Sequence, residues 1–200
     1  MVAALVVLGG YLLGSMPFGY WLPLLLRHDD IRTHGSGNIG GSNVWRVYGR
    51  AYGIPVVLLD VAKGFVPALV GVHVSGDLLG VLAGGAAMAG HWRPLFLRFQ
   101  RGGKTVATAG GVFFATAPLV ALVGALIWLV CFLLVRYASV ASLVAALALP
   151  LVAWLLGEPW PVIAFAASAA VAVVLLHRAN IGRLRSGTES RFSFSRPARA

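Results

Sequence analysis

Apolar stretches long enough to cross a bilayer follow one another along almost the whole of this 200-residue chain. A helix needs about 20 mostly apolar residues to span the hydrocarbon core, and such runs cut the sequence into seven pieces. They extend from Ala3 to Leu26, Tyr52 to His73, Leu78 to Leu97, Thr105 to Ala117, Leu119 to Val135, Val140 to Leu156 and Trp160 to Leu176. The fourth is shorter than the rest. Composition agrees, because 59% of the residues are hydrophobic and only 11% are charged, against roughly 25% charged in ordinary soluble domains. The expectation is an all-α integral membrane protein with seven transmembrane helices and no separate soluble domain. A single membrane domain would cover residues 1–189, and a Ser- and Arg-rich tail at 190–200, without apolar periodicity, would be mobile.

The cationic residues test this map independently, since short cytoplasmic loops collect Lys and Arg while external loops do not. Apart from Lys63 and Arg93, every Lys and Arg falls after span one, three, five or seven, at Arg27 to Arg50, Arg98 to Lys104, Arg136, and Arg178 to Arg199. The loops around 75–77, 117–118 and 157–159 carry no cation and hold Asp77 and Glu158. This sorting places the N-terminus outside and the C-terminus in the cytoplasm. A net charge of +10 then reflects topology and attraction to anionic membrane lipid rather than nucleic-acid binding. The first apolar run lacks a basic leader and exceeds signal-peptide length, so it is expected to be retained. Cys131 is the sole cysteine, and with no Cys or His cluster near it neither an internal disulfide nor a structural metal site is expected.

Three polar clusters lie on the predicted cytoplasmic side. The first, HGSGNIGGSNVWRVYG from His34 to Gly49, offers Ser36, Gly37, Asn38, Gly40, Ser42 and Asn43 ahead of Arg46. Glycines let backbone N–H groups turn inward around an anion, and an Arg after them grips a phosphate with two donors. The second, RGGKTVAT from Arg101 to Thr108, matches only the end of a nucleotide P-loop: the position of the required first glycine is Arg98. What remains is a turn of Gly102, Gly103 and Lys104 suited to one phosphate, followed by Thr108. The third is HRANIGRLRSGTE, from His177 to Glu189. In a continuous helix His177, Asn180 and Leu184 share one face and Arg178 and Arg185 another, with Gly187 as a left-handed cap. Within the spans, Asp60 and Lys63 either pair with each other or touch a ligand.

These groups suit the handling of small phosphorylated compounds at a membrane surface. Paired carboxylates for glycoside hydrolysis, a G-x-S-x-G elbow and a zinc signature are all missing. No histidine is followed five residues later by Asp, so the arrangement of many acyltransferases is absent too. A transporter for organic phosphates is the alternative, but it would carry broken helices in corresponding halves, and no such repeat is visible.

Five stretches in order, GSMPFGY, SGNIGGSNVWRVYG, LLDVAKG, GHWRPLFLRFQRGGKTVAT and HRANIGRLRSGTE, resemble the bacterial integral-membrane glycerol-3-phosphate acyltransferases of the PlsY type, which use acyl phosphate as donor. The resemblance implies an active site facing the cytoplasm from the bacterial inner membrane, and a product that is lysophosphatidate. It implies no metal, no cofactor and no obligate protein partner. Carried over by position, it makes Ser36, Arg46, Lys104, His177 and Asn180 the core site, with Gly102 and Gly103 shaping a phosphate loop and Gly37, Asn38, Gly40, Ser42, Asn43, Thr108 and Arg178 assisting in binding. Two motifs depart from the family pattern. Gly41 and Ser42 stand where Ala and Thr are common in the first, and Arg101 and Thr105 stand where the second commonly has lysine and glycine.

Overall fold

The computed structural model describes residues 1–193, and among these the regular secondary structure is all helical. The first expected span is two helices, α1 (Val2–Gly14) and α2 (Phe18–Arg27). Pro17 causes the break, because it has no N–H to donate and its ring disfavours a helical residue before it. The carbonyl of Met16 at the break accepts a hydrogen bond from Lys63 Nζ at 3.0 Å. Lys63 and Asp60, each 2% exposed, form an ion pair at 2.7 Å, so of the two readings left open for them pairing is present, and it braces the broken helix.

After the short α3 (Gly41–Tyr48) comes α4 (Arg50–Trp92). It doubles back at Ser75 and Gly76, where Gly76 takes φ 76°, a conformation that favours glycine. The two arms lie so close that a Cβ on Gly71 would run into the backbone of Gly80. The second arm packs on α1 through small residues, Gly10 against Ala83 and Gly14 against Ala87, as four-residue spacing of glycines allows.

Four helices complete the bundle: α5 (Val106–Thr116), α6 (Pro118–Val135), α7 (Ala138–Leu155) and α8 (Trp160–Leu176). Their shared core includes Val112, Phe113, Val120, Val162 and Phe165. Large apolar side chains such as Leu58, Leu122, Leu126, Leu147 and Leu151 are more than half exposed, a surface fitted to lipid rather than water. By length and composition four helical stretches can cross a membrane, or five if the bent pair of α8 and α9 (Arg178–Arg185) counts as one. At 11 residues, α5 spans only about 16 Å, roughly half the hydrocarbon core.

Two expectations about the C-terminal region change. The helix through His177 is not continuous, since α8 and α9 meet at 55°. The His177 N–H is shared between the carbonyls of Val173 and Val174, which tightens the last turn and redirects the chain. Gly187 does take the left-handed conformation, at φ 71°. In the segment expected to be mobile, Phe192 is 4% exposed and packs edge-on against Trp45 and Phe132, while residues 194–200 lie outside the described residues.

Candidate active site

The glycine-rich first loop is held in shape by its asparagines. Asn43, 3% exposed, accepts the Ser36 N–H at 2.9 Å and donates to the carbonyls of His34 and Asn38 at 3.1 and 2.9 Å. Asn38 accepts the Gly40 N–H at 2.8 Å and donates to the Gly102 carbonyl at 3.3 Å, tying the first loop to the second. Arg46 follows on α3, with its Nε buried and without a partner among the described residues. Burial pulls its guanidinium below the ordinary arginine range, against the opposing effect of Glu189. An unpartnered buried donor of this kind is expected where an anion will bind.

The second loop lies on His91, at the end of the second arm of α4. The N–H groups of Gly102 and Gly103 donate to the carbonyls of Trp92 and His91 at 2.9 and 3.0 Å. A Cβ on Gly103 would overlap the His91 ring, and one on Gly102 would overlap the His91 carbonyl. These glycines are therefore needed for close approach, while their N–H groups are already occupied by the chain itself. The charge at this loop comes from Lys104, whose Nζ donates to Asn180 Oδ1 at 2.6 Å.

From the third cluster, the bend between α8 and α9 brings in His177 and Asn180, 3% and 4% exposed. His177 Nδ1 lies 2.8 Å from the carbonyl of Val173. A carbonyl only accepts, so Nδ1 carries the proton and Nε2 is left as an acceptor. Asn180 Nδ2 donates to Glu189 Oε1 at 2.6 Å. Ser139 Oγ also donates to that oxygen, at 2.7 Å, and Arg183 Nε donates to Oε2 at 2.7 Å. Burial alone would raise the Glu189 carboxyl, but the hydrogen bonds from Asn180, Ser139 and Arg183 outweigh it and hold the group below its ordinary range. Lys104 is drawn down to about 8, first by burial and then by Arg183, Arg101 and Arg46, with Glu189 opposing.

These groups surround one cavity of about 540 Å³. Ser36, Asn38, Gly40, Ser42, Asn43, Arg46, Lys104, His177 and Asn180 all line it. Gly37, Gly102, Gly103, Thr108 and Arg178 do not. The Gly37 N–H is bonded to the His34 carbonyl, Arg178 points out into the surroundings, and Thr108 is fully buried with its carbonyl packed on Gly64. From the polar end the cavity continues between α5, α6, α7 and α8 into a wall of apolar and small residues that includes Gly110, Phe113, Gly124, Ala146, Leu149 and Ala169. One space thus joins a cationic pocket to an apolar groove.

A family model described as glycerol-3-phosphate acyltransferase matches residues 4–187. This chain belongs to the glycerol-3-phosphate acyltransferase family. Among curated relatives, the glycerol-3-phosphate acyltransferase of Desulforudis audaxviator is 44% identical over 194 residues, covering 96% of this chain and 98% of the relative. That of Aquifex aeolicus is also 44% identical over 194 residues, covering 96% and 100%. The crystal structure of PlsY, an integral membrane glycerol 3-phosphate acyltransferase, superposes in its glycerol 3-phosphate form with a TM-score of 0.93 at 42% identity, covering 96% of both chains. Its lysophosphatidic acid form gives 0.89 at 41% identity, again over 96% of both. Membership makes this chain an integral membrane acyltransferase.

Several residues around this cavity escape sequence reasoning. Glu189, Arg183 and Ser139 form the network that fixes Asn180, yet only the rarity of acidic residues, six in the chain, marks Glu189 in advance. Ser139 sits in an ordinary apolar helix and carries no signal. Asp60, read first as in-span polarity, lines the cavity beside the second loop, as does His91 at the end of the second arm of α4.

Proposed function

We propose that this chain transfers a fatty acyl group from acyl phosphate to the 1-hydroxyl of glycerol 3-phosphate, releasing lysophosphatidate and inorganic phosphate. The observation that carries the reading is the continuity of the cavity, in which a cationic pocket opens into an apolar groove. A phosphorylated polyol needs only the first of these, whereas an acyl phosphate needs both. Arg46 and Lys104 neutralise the phosphates of acceptor and donor, and Ser36 and Asn180 orient them or steady the oxyanion that forms at the acyl carbon. The acceptor oxygen bonds to that carbon as the bond to the phosphate oxygen breaks, and the electron pair leaves with phosphate. The hydroxyl proton goes to His177 Nε2 or to the phosphate of glycerol 3-phosphate itself. Acyl phosphate is already activated, so neither a protein nucleophile nor a cofactor enters the reaction.

The same proposal places the site at the cytoplasmic face of a bacterial inner membrane, in a chain that crosses seven times with its N-terminus outside. The sorting of Lys and Arg into alternate loops supports this orientation. One experiment tests both parts. Glycerol 3-phosphate does not cross lipid unaided, so inside-out vesicles given acyl phosphate and external glycerol 3-phosphate are expected to form lysophosphatidate and phosphate in equal amounts. Right-side-out vesicles are expected to do so only once permeabilised. Folded protein that forms neither product in either preparation excludes the transfer reaction.

A further inference from the structure

Thr105 combines three unusual features. Its backbone is left-handed, at φ 64° and ψ −1°, a conformation that glycine takes freely and a β-branched residue resists. Its hydroxyl is buried, in a residue 2% exposed, and has no hydrogen-bond partner among the described residues. It also stands at the N-cap of α5, where Thr commonly accepts a backbone N–H from the first turn, yet makes no such bond. The left-handed backbone accounts for the last point, because a normal capping side chain requires an extended residue there. Glycine would satisfy the turn better, and a buried hydroxyl without a partner is unfavourable. No hydrogen bond of the hydroxyl among the described residues offsets either cost.

Its position indicates what does. Thr105 lines the cavity immediately after Lys104, whose ammonium bonds to Asn180. The phosphate loop itself supplies few free donors, since the N–H groups of Gly102 and Gly103 are bonded to Trp92 and His91. We infer that the Thr105 hydroxyl is an additional donor to a phosphoryl oxygen of the bound substrate, supplementing Lys104 in this chain. The inference rests on the acyl-transfer reading above. The phosphoryl group is that of glycerol 3-phosphate or that of the acyl donor, and the two leave different kinetic traces.

The test is steady-state kinetics on purified protein in detergent, with the two substrates varied separately. Thr105→Val keeps the shape and loses the hydroxyl, and Thr105→Gly removes the side chain while relaxing the backbone, so at least one of them is expected to fold normally. Both are expected to raise one KM about tenfold, the scale of a lost hydrogen bond to a charged group, and Thr105→Ser is expected to restore most of the affinity. A rise confined to glycerol 3-phosphate assigns the contact to the acceptor, and one confined to acyl phosphate assigns it to the donor. If both KM values stay within twofold of the parent in the folded Val and Gly variants, including the case where only kcat moves, the inference is overturned. A parent protein that makes no lysophosphatidate is a different result, which removes the acyl-transfer reading and this inference with it.

Discussion

Under the proposed reaction Lys104 supplies charge to a phosphate, and its surroundings make that charge conditional. Burial and three neighbouring arginines bring it down to about 8 from 10.5. A lysine lowered in this way loses its proton as pH rises through that value, so the charged fraction falls from roughly nine-tenths at pH 7 to about a tenth at pH 9. The kcat/KM for glycerol 3-phosphate, which reports on the free enzyme, is therefore expected to fall above pH 8. The slope should approach tenfold per pH unit. Lys104→Arg keeps its charge at any such pH, and whatever activity it retains should lack this alkaline limb. Lys104→Ala should lose at least about a hundredfold in kcat/KM, as removal of an electrostatic stabiliser does, with its unfolding temperature close to that of the parent. A parent profile flat to pH 10 would mean that Lys104 does not act as a charge here. The lysine was legible in the sequence because a Gly-Gly-Lys turn between apolar runs is unusual. The way its charge is tuned was not, because Glu189 and Arg183 reach it only through the bend at His177.

Helices interrupted inside a membrane need substitutes for the backbone partners they lose, and the break between α1 and α2 shows the substitution. Lys63 on α4 reaches the Met16 carbonyl while pairing with Asp60, so one buried ammonium serves both helices. Removing it leaves a carboxylate and a carbonyl uncompensated at the same time. Lys63→Met is expected to destabilise the protein by about 3–5 kcal/mol, the usual penalty for breaking a buried ion pair from one side. The double variant Asp60→Asn, Lys63→Met should recover part of that loss, and unfolding in detergent measures both. Equal stability of the single variant and the parent would show that the pair does not brace the break. The i, i+3 spacing of Asp60 and Lys63 made their pairing one of two readings in advance. That Lys63 also serves Met16 was hidden, because the contact joins residues 47 positions apart. The same holds for Phe192, whose place against Trp45 and Phe132 depends on how three separate segments meet.

The whole molecule is a helical bundle whose polar chemistry gathers at one end and whose interior carries an apolar groove away from it. The apolar segmentation and the loop charges made the bundle and its polar end legible, since both follow from what lipid tolerates. The groove was not legible, because its wall is built from Ala, Gly, Leu and Phe that look like ordinary span residues until four helices converge. Gly110 on α5 offers a way to test what the groove accepts. It lines the cavity, and a Cβ there would meet nothing within 4 Å among the described residues, so a substituted side chain starts from open space. Leu is also a better helix former than Gly by up to about 1 kcal/mol, and Gly110→Leu should fold at least as well as the parent. If the groove holds the acyl chain, the added side chain occupies volume that a long chain needs and a short one does not. Each excluded methylene forfeits about 0.8 kcal/mol of burial, so loss of contact for two or three of them lowers kcat/KM by roughly ten- to sixtyfold. The expected outcome is a fall of that order with long-chain acyl phosphates, little change with short-chain donors, and an unaltered KM for glycerol 3-phosphate. A uniform loss across chain lengths would place the acyl chain elsewhere.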